Sequence, residues 1–444
     1  MAGSNESSIV LGNLLFPKIF QTFRMAVQPT KLIITSLALA IICLAGWLMD
    51  FSKTVAVSRD SNGKIILTEL QVYMSSPTPE EAHIGIKRLW ENDQRSGVFS
   101  TLWNSAATQF KKAVESVFDR DVIAVVENIH DFFIGIGWAF RYHFIYCIIF
   151  FIIELAVLSV AGGAICRIAA LQNAQGEKPG MTEAIRYSLK RFTSFFTAPL
   201  APFTIILSLG LFILLLGLLG NIPIAGEIII GLGMPLALFV GTLIAVVLIG
   251  AVAGFNLMFP AVAYDGSDCF DSISRSFSYV YAQPWRMLFY TSIAAVYGSI
   301  CYTFVRFFAF LAILTTRWFL QVAIWTDNSS QEIDKLTAIW PRPDFMTLLG
   351  TKSMATTNWS ENTAAFLIYI FLLVVIGLVV SFIISFYFSA NTVIYSLMRK
   401  KVDNTDPQEI YRPLEEKEIE PIITETKPKK TPPEPEDTEF KQEK

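Results

Sequence analysis

The amino-acid sequence predicts an all-α membrane protein: a bundle of six transmembrane helices, with interfacial amphipathic helices and a small mixed α/β extracytoplasmic domain. Three observations lead there. Six apolar runs, 32–49, 144–165, 197–220, 233–259, 287–309 and 364–388, reach the length of about 18 residues that a helix needs to cross roughly 30 Å of hydrocarbon. Lys and Arg gather on alternate sides of successive runs. Only 16% of residues are charged and 53% are hydrophobic, against about 25% charged in an ordinary soluble domain.

The first run follows a cytoplasmic N-terminal segment, 1–31, with Lys18, Arg24 and Lys31. Its apolar core exceeds the 7–15 residues of a signal-peptide core, and Gly46-Trp47-Leu48-Met49-Asp50 lacks an A-x-A cleavage pattern. An uncleaved anchor is the better reading. Arg167, Lys178, Arg186, Lys190 and Arg191 follow the second run. Arg275 and Arg286 follow the fourth, and Arg399, Lys400 and Lys401 the sixth. The turn 221–230 has no basic residue, and loops 51–143 and 310–363 carry no basic excess. Because positive flanks stay in the cytoplasm, both termini are expected there.

Segment 51–143 is long enough for a folded extracytoplasmic unit. Asn62-Gly63 between the β-rich stretches 54–58 and 65–73 reads as a hairpin with a type I′ turn. Helical patterns follow at 79–94 and in two apolar stripes. One is Phe99, Leu102, Trp103, Ala106, Phe110, Val114 and Val117, opposite Lys111, Lys112 and Glu115. The other is Val122, Val126, Ile129 and Phe133. Such helices pack together, lie in the interface or bind a partner. His83, His130 and His143 all fall here, yet no two stand at i,i+3 or i,i+4, so no metal site is expected.

The cytoplasmic loops 166–196 and 260–286 each read as an amphipathic helix on the inner surface. Thr182-Glu183-Ala184-Ile185-Arg186-Tyr187-Ser188 and Phe270-Asp271-Ser272-Ile273-Ser274-Arg275-Ser276 share an acid, a small residue, Ile and Ser at an offset of 88. Each then shows an apolar stripe (Ile185, Leu189, Phe192, Phe196; Phe270, Ile273, Phe277, Val280) and a proline, Pro199 or Pro284, before the next run. Either the two hairpins are parallel repeats, or two interfacial helices match by chance. Asp265, Asp268 and Asp271 lack calcium-loop spacing; Asp265-Gly266 reads as a turn and Asp268 as a helix N-cap.

The stretch Gly162-Gly163-Ala164-Ile165-Cys166-Arg167-Ile168-Ala169-Ala170-Leu171-Gln172 carries a resemblance, with Lys190-Arg191-Phe192, Ala198-Pro199, Gly220-Asn221-Ile222-Pro223 and Gly226-Glu227. Asp265-Gly266-Ser267-Asp268, Phe270-Asp271, Ser274-Arg275-Ser276, Pro284-Trp285-Arg286 and Ser389-Ala390-Asn391-Thr392-Val393-Ile394-Tyr395 extend it. Across most of 144–411 the chain resembles a family of uncharacterised bacterial multi-pass inner-membrane proteins. The resemblance implies a bacterial inner-membrane setting and no catalytic assignment.

Within the runs, Gly377, Ser381, Ser385 and Ser389 form a small-residue ladder at steps of four, a helix-packing seam or a polar pathway. Glu154 lies near the middle of the second run, where a lone carboxylate is expensive. Arg306 lies about twenty residues into the fifth, near its outer end; Glu227, at the outer start of the fourth, is its expected partner, and Glu154 one only if Arg306 reaches inward. Residues 403–444, alternating Glu and Lys with Pro421, Pro428, Pro432, Pro433 and Pro435 among their prolines, read as a disordered cytoplasmic tail.

No catalytic constellation, metal box or cofactor motif occurs, and a net charge of −3 offers nothing to nucleic acid. The five cysteines (Cys43, Cys147, Cys166, Cys269, Cys301) form no C-x-x-C pair. The expected function is a non-catalytic scaffold or complex subunit in the lipid bilayer, with a membrane-protein partner engaging 51–143 or the tail. A secondary transporter using Glu154 is the alternative, and a lipid-acting membrane enzyme the second.

Overall fold

The computed structural model describes residues 16–60, 65–91, 94–119, 121–324, 334–350 and 358–412. One compact unit takes in Met1–Ile410; a second, Tyr411–Lys444, is described only at its first two residues. A short 3-10 turn leads to α1 (Thr22–Ala26) and α2 (Pro29–Met49). A small lobe follows: β1 (Val55–Arg59), β2 (Ile65–Thr68), α3 (Glu69–Ser75), α4 (Pro79–Trp90) and β3 (Arg95–Ser96). Then come α5 (Val98–Phe118), α6 (Val122–Tyr142), α7 (Phe144–Gln175), α8 (Met181–Lys190), α9 (Phe192–Thr197), α10 (Ala201–Leu219) and α11 (Ala225–Asp265). The chain continues through α12 (Cys269–Ala282), α13 (Pro284–Ala323), α14 (Lys335–Ile339) and α15 (Trp359–Val402).

Among the described residues, seven helices are long and apolar enough to cross a membrane: α2, α6, α7, α10, α11, α13 and α15. The chain is therefore an all-α membrane protein. Six of the seven contain the six apolar runs, and α6 adds a candidate from a segment expected to lie outside. Helices α11, α13 and α15 run for 41, 40 and 44 residues. At 1.5 Å per residue each is about twice the length a hydrocarbon core requires, so the helix carries on through what reads as loop at 260–265, 310–323 and 389–402. Helix α7 likewise continues to Gln175, where Gly176 takes the left-handed conformation (φ 73°) that ends it.

The β1–β2 pairing is antiparallel, as the β-rich stretches predict, and β3 adds on the other edge of β1. The Asn62-Gly63 turn lies outside the described residues. Val55, Val57, Leu70 and Ile86 bury against Val98, Trp138 and Cys147 from α5, α6 and α7, which seats the lobe on the helices.

The tightest packing lies at the end of the bundle that holds Lys31, Arg167, Arg275 and Arg399, here called the basic end. Residues 161–171, 257–264 and 388–398 are buried almost without interruption. Small residues allow it. A Cβ at Gly162 would stand 2.6 Å from the Phe388 ring, and one at Gly163 would stand 2.4 Å from Ser188 Oγ and 2.9 Å from Phe195. Glycine there admits α8 and α9 directly onto α7. Gly163→Val is expected to cost roughly 1–3 kcal/mol by overpacking, read as a lower melting temperature in detergent. Gly210→Ala, where nothing lies within 4 Å, serves as the unaffected control. Helices α8 and α12 bury Ala184, Tyr187, Ile273 and Tyr279 and leave Met181, Leu189, Phe270 and Tyr281 exposed, the pattern of helices lying in a membrane interface.

Helices α5 and α6 form a hairpin, Gln109 of one donating to Asp131 of the other, and this pair runs alongside the bundle. Phe99, at its start, packs over Gly46 near the far end of α2. Eleven residues on, the Phe110 ring lies 5.5 Å from Tyr302 of α13. Ser36 meets Ser381 and Gly298 meets Phe386; counting along the helices from these contacts puts Gly46 level with Phe371 and Tyr302 level with Phe382. Over the same eleven residues, roughly 17 Å, α5 therefore advances along α15 as a parallel neighbour.

Candidate functional site

The basic end concentrates the chain's buried polar chemistry. Asp265 ends α11, and Gly266 (φ 60°) turns the chain away after it, so the carboxylate is left facing its neighbours. Arg275 of α12 reaches it at 3.2 Å and Arg399 of α15 at 3.3 Å, while the Tyr395 hydroxyl donates to it. Asp265 is 7% exposed and Arg399 11%. Arg275 also grips Asp271 one turn back at 3.1 Å. Burial works against the Arg275 charge, but Asp265 and Asp271 more than offset it and hold the guanidinium above its ordinary pKa. Burial, reinforced by the hydrogen bond to Asp403, pushes the Tyr279 phenol up as well, so Tyr279 stays protonated and acts as a donor.

Two further cations are sunk into this end. Lys31 is fully buried and donates to Ser389 Oγ at 3.2 Å and to Gln172 Oε1 at 3.5 Å. Arg167 donates to the Ala263 carbonyl at 2.9 Å and lies 4.3 Å over the Tyr187 ring, whose hydroxyl donates to the Val262 carbonyl. Both cations tie α7 to its neighbours through carbonyl, hydroxyl and amide oxygens.

Residues after α15 join the same structure. Tyr264 donates to the Pro407 carbonyl at 2.9 Å, Arg399 to the Glu409 carbonyl at 2.6 Å, and Ile410 packs on the core. The disordered tail expected at 403–444 is thus corrected: 403–410 are folded, because their carbonyls and one aliphatic side chain cap the basic end. Residues 413–444 lie outside the described residues.

The predicted site residues separate. Ser381, Ser385 and Ser389 are buried and each binds across the seam: Ser381 with Ser36, Ser385 to the Ala26 carbonyl, Ser389 with Lys31. Gly377 does not take part; nothing lies within 4 Å of a Cβ placed there. The expected Arg306–Glu227 pair is corrected too. Arg306 donates to the Phe345 and Met346 carbonyls at 3.0 and 2.8 Å and to the Tyr302 hydroxyl, while Glu227 sits exposed at the start of α11. The 345–346 segment brings bare carbonyls to Arg306, which the sequence spacing did not reveal. Glu154 is half-buried and, among the described residues, has no hydrogen-bond or ion-pair partner. Asp268 caps α12 as predicted, accepting from the Asp271 amide at 2.8 Å.

A second hub escaped the sequence reading. Glu69, wholly buried, accepts from the Ala56 amide and from Trp90 Nε1, both at 2.6 Å, and faces His143 Nε2 at 3.2 Å. One carboxylate thereby joins β1, α4 and the α6–α7 junction. Among the described residues, no group of three or more His, Cys, Asp or Glu converges as metal ligands would. No family model, curated protein or solved structure matches the chain.

Proposed function

We propose that the chain is a non-catalytic scaffold or complex subunit of a bacterial inner membrane, with the basic end and both termini cytoplasmic. The observation that carries this is how its ionisable groups are used. Asp265, Lys31, Arg167 and Glu69 bind neighbouring helices and strands, each with its bonding capacity engaged in holding the structure together. A nucleophile or acid–base catalyst needs the opposite, an ionisable group open to a substrate.

The same structure supports a topology. Seven crossings would put the two termini on opposite sides and break the alternation of basic flanks. Helices α5 and α6 enter or stay out together, since they form a hairpin and only three residues separate them in sequence. The number of crossings is therefore six or eight. The position of α5 beside α13 and α15 favours a hairpin at membrane depth with its tip toward the basic end, which refines the expectation that all of 51–143 stands outside. Its Lys111 and Lys112 lie within three turns of the tip and snorkel toward it.

Affinity purification of the full chain in mild detergent, with captured proteins identified by mass spectrometry, tests the role. A stoichiometric partner that survives removal of 413–444 supports a subunit held through the folded part. Recovery of the chain alone, from several mild detergents, counts against it.

Glu154, with no partner among the described residues, favours a second reading as a coupled transporter. On the scaffold reading Glu154→Gln leaves the melting temperature unchanged or slightly raised, because no bond is lost and a costly carboxylate is removed. Loss of coupled uptake in proteoliposomes with the fold intact would select transport instead.

A further inference from the structure

We propose that the cavity between the α5–α6 hairpin and helices α11, α13 and α15 is a binding site for an uncharged single-chain amphiphile, such as a monoacylglycerol. The cavity has a volume of about 470 Å³, in the range of specific small-molecule pockets, roughly 300–1,000 Å³, and suited to one chain with a small head.

Its polarity runs in one direction. Toward the basic end it is lined by Asn391, Thr291 and Asn256. Asn391 is 5% exposed and its carboxamide makes no hydrogen bond among the described residues, so a buried donor and acceptor pair opens into the cavity with nothing to bind. The Thr291 hydroxyl is buried and also lacks a partner. Leaving such groups unsatisfied costs about 1–3 kcal/mol each, which a ligand bearing hydroxyl or carbonyl groups would recover. Toward the far end the walls are mainly aromatic, with Phe110, Phe382, Phe386 and Tyr302, and the hydroxyls of Ser299 and Thr303 there are already spent on backbone carbonyls one turn back. Gly298 faces Phe386 there, where a side chain would crowd the ring.

Charge settles the class of head group. No Lys, Arg, His, Asp or Glu among the described residues lines the cavity. A phosphate or free carboxylate buried here would find no counter-ion among the lining residues, a penalty of several kcal/mol, whereas hydroxyls and an ester carbonyl find the Asn391 amide, with the unpartnered Thr291 hydroxyl just behind the wall. Phe110 and Tyr387 are 44% and 41% exposed, which leaves a side opening between hairpin and bundle through which a chain can enter from the bilayer. The site is independent of the scaffold role and requires only that the hairpin pack as it does against α13.

Native mass spectrometry of the full chain in detergent, titrated with 1-oleoylglycerol and separately with oleate, tests the assignment. The expected result is a saturable one-to-one adduct with 1-oleoylglycerol and a much weaker one with oleate. Asn391→Leu, which keeps the volume and removes the amide, is expected to weaken the adduct roughly tenfold, the equivalent of a lost hydrogen bond or two. Thr291→Val is expected to weaken it several-fold, and Ala295→Trp, which fills the cavity, to abolish it. Non-saturable uptake, an equal or stronger oleate adduct, or binding unchanged in both Asn391→Leu and Thr291→Val would overturn it. The last two variants are mild enough to keep the test decisive even if Ala295→Trp fails to fold.

Discussion

Asp265→Ala is expected to cost on the order of 3–5 kcal/mol, the effect of removing one partner from a buried ion cluster. The carboxylate is 7% exposed and holds Arg275, Arg399 and Tyr395; without it Arg399, only 11% exposed, keeps its charge with no carboxylate beside it. The loss should appear as a large fall in melting temperature in detergent and as protease access around 265–282 and 399–410. The order of effects is part of the expectation. Arg275→Met should cost about 1 kcal/mol or less, because that side chain is 37% exposed and its pairing is screened by water. In a double-mutant cycle Arg399→Met should recover part of the Asp265→Ala loss, since it removes the stranded charge. An Asp265→Ala protein that melts within about 1 kcal/mol of the parent would show that the cluster does not hold the basic end together.

Glu69→Ala is expected to be comparably damaging but local. It leaves the Ala56 amide, Trp90 Nε1 and His143 Nε2 without their acceptor, at about 1–3 kcal/mol for each of the two buried donors, Ala56 and His143. The lobe 55–96 rests on few elements beyond the three that Glu69 joins, so it should open while the bundle stays folded. Limited proteolysis should then cut within 65–96 at a rate raised at least tenfold, with the basic end still protected. Glu69→Gln should be milder, since it retains an acceptor oxygen yet turns its NH2 toward a donor. Equal protease resistance of the Ala variant and the parent would contradict the assignment of Glu69 as the hub.

Much of the fold is legible in the sequence because the bilayer imposes it. Length and apolarity mark the helices that can cross, and Asp268 and Gly266 mark a cap and a stop by local rules alone. Gly162 and Gly163, noticed only as part of a resemblance, turn out to be where Phe388 of α15 and the helices α8 and α9 come down on α7. The rest depends on contacts distant in sequence. Asp265 reads locally as a turn residue; its partners stand 10 and 134 positions away, and only the packing of α11 on α15 joins them. Lys31 reads as a positive flank, yet the serine ladder that buries it lies more than 350 residues further on. The amphipathic stripe of Phe99 to Val114 is legible as one face of a helix, although Trp103 and Phe110 are each 44% exposed, and periodicity carries no information on what stands beside that face. Here it is α13 and α15, which is why a segment taken for an outer domain contributes a hairpin to the bundle.

The central claim is an even number of crossings with the α5–α6 hairpin at membrane depth. A single cysteine placed at Asp119, in a chain whose five native cysteines are replaced, tests it most directly. Membrane-impermeant maleimide should label that residue in inverted inner-membrane vesicles, or not at all until detergent is added, and a cysteine at position 401 should label in inverted vesicles. Efficient labelling of Asp119→Cys in intact spheroplasts, from the outer side, would place the tip outside the membrane and contradict the account.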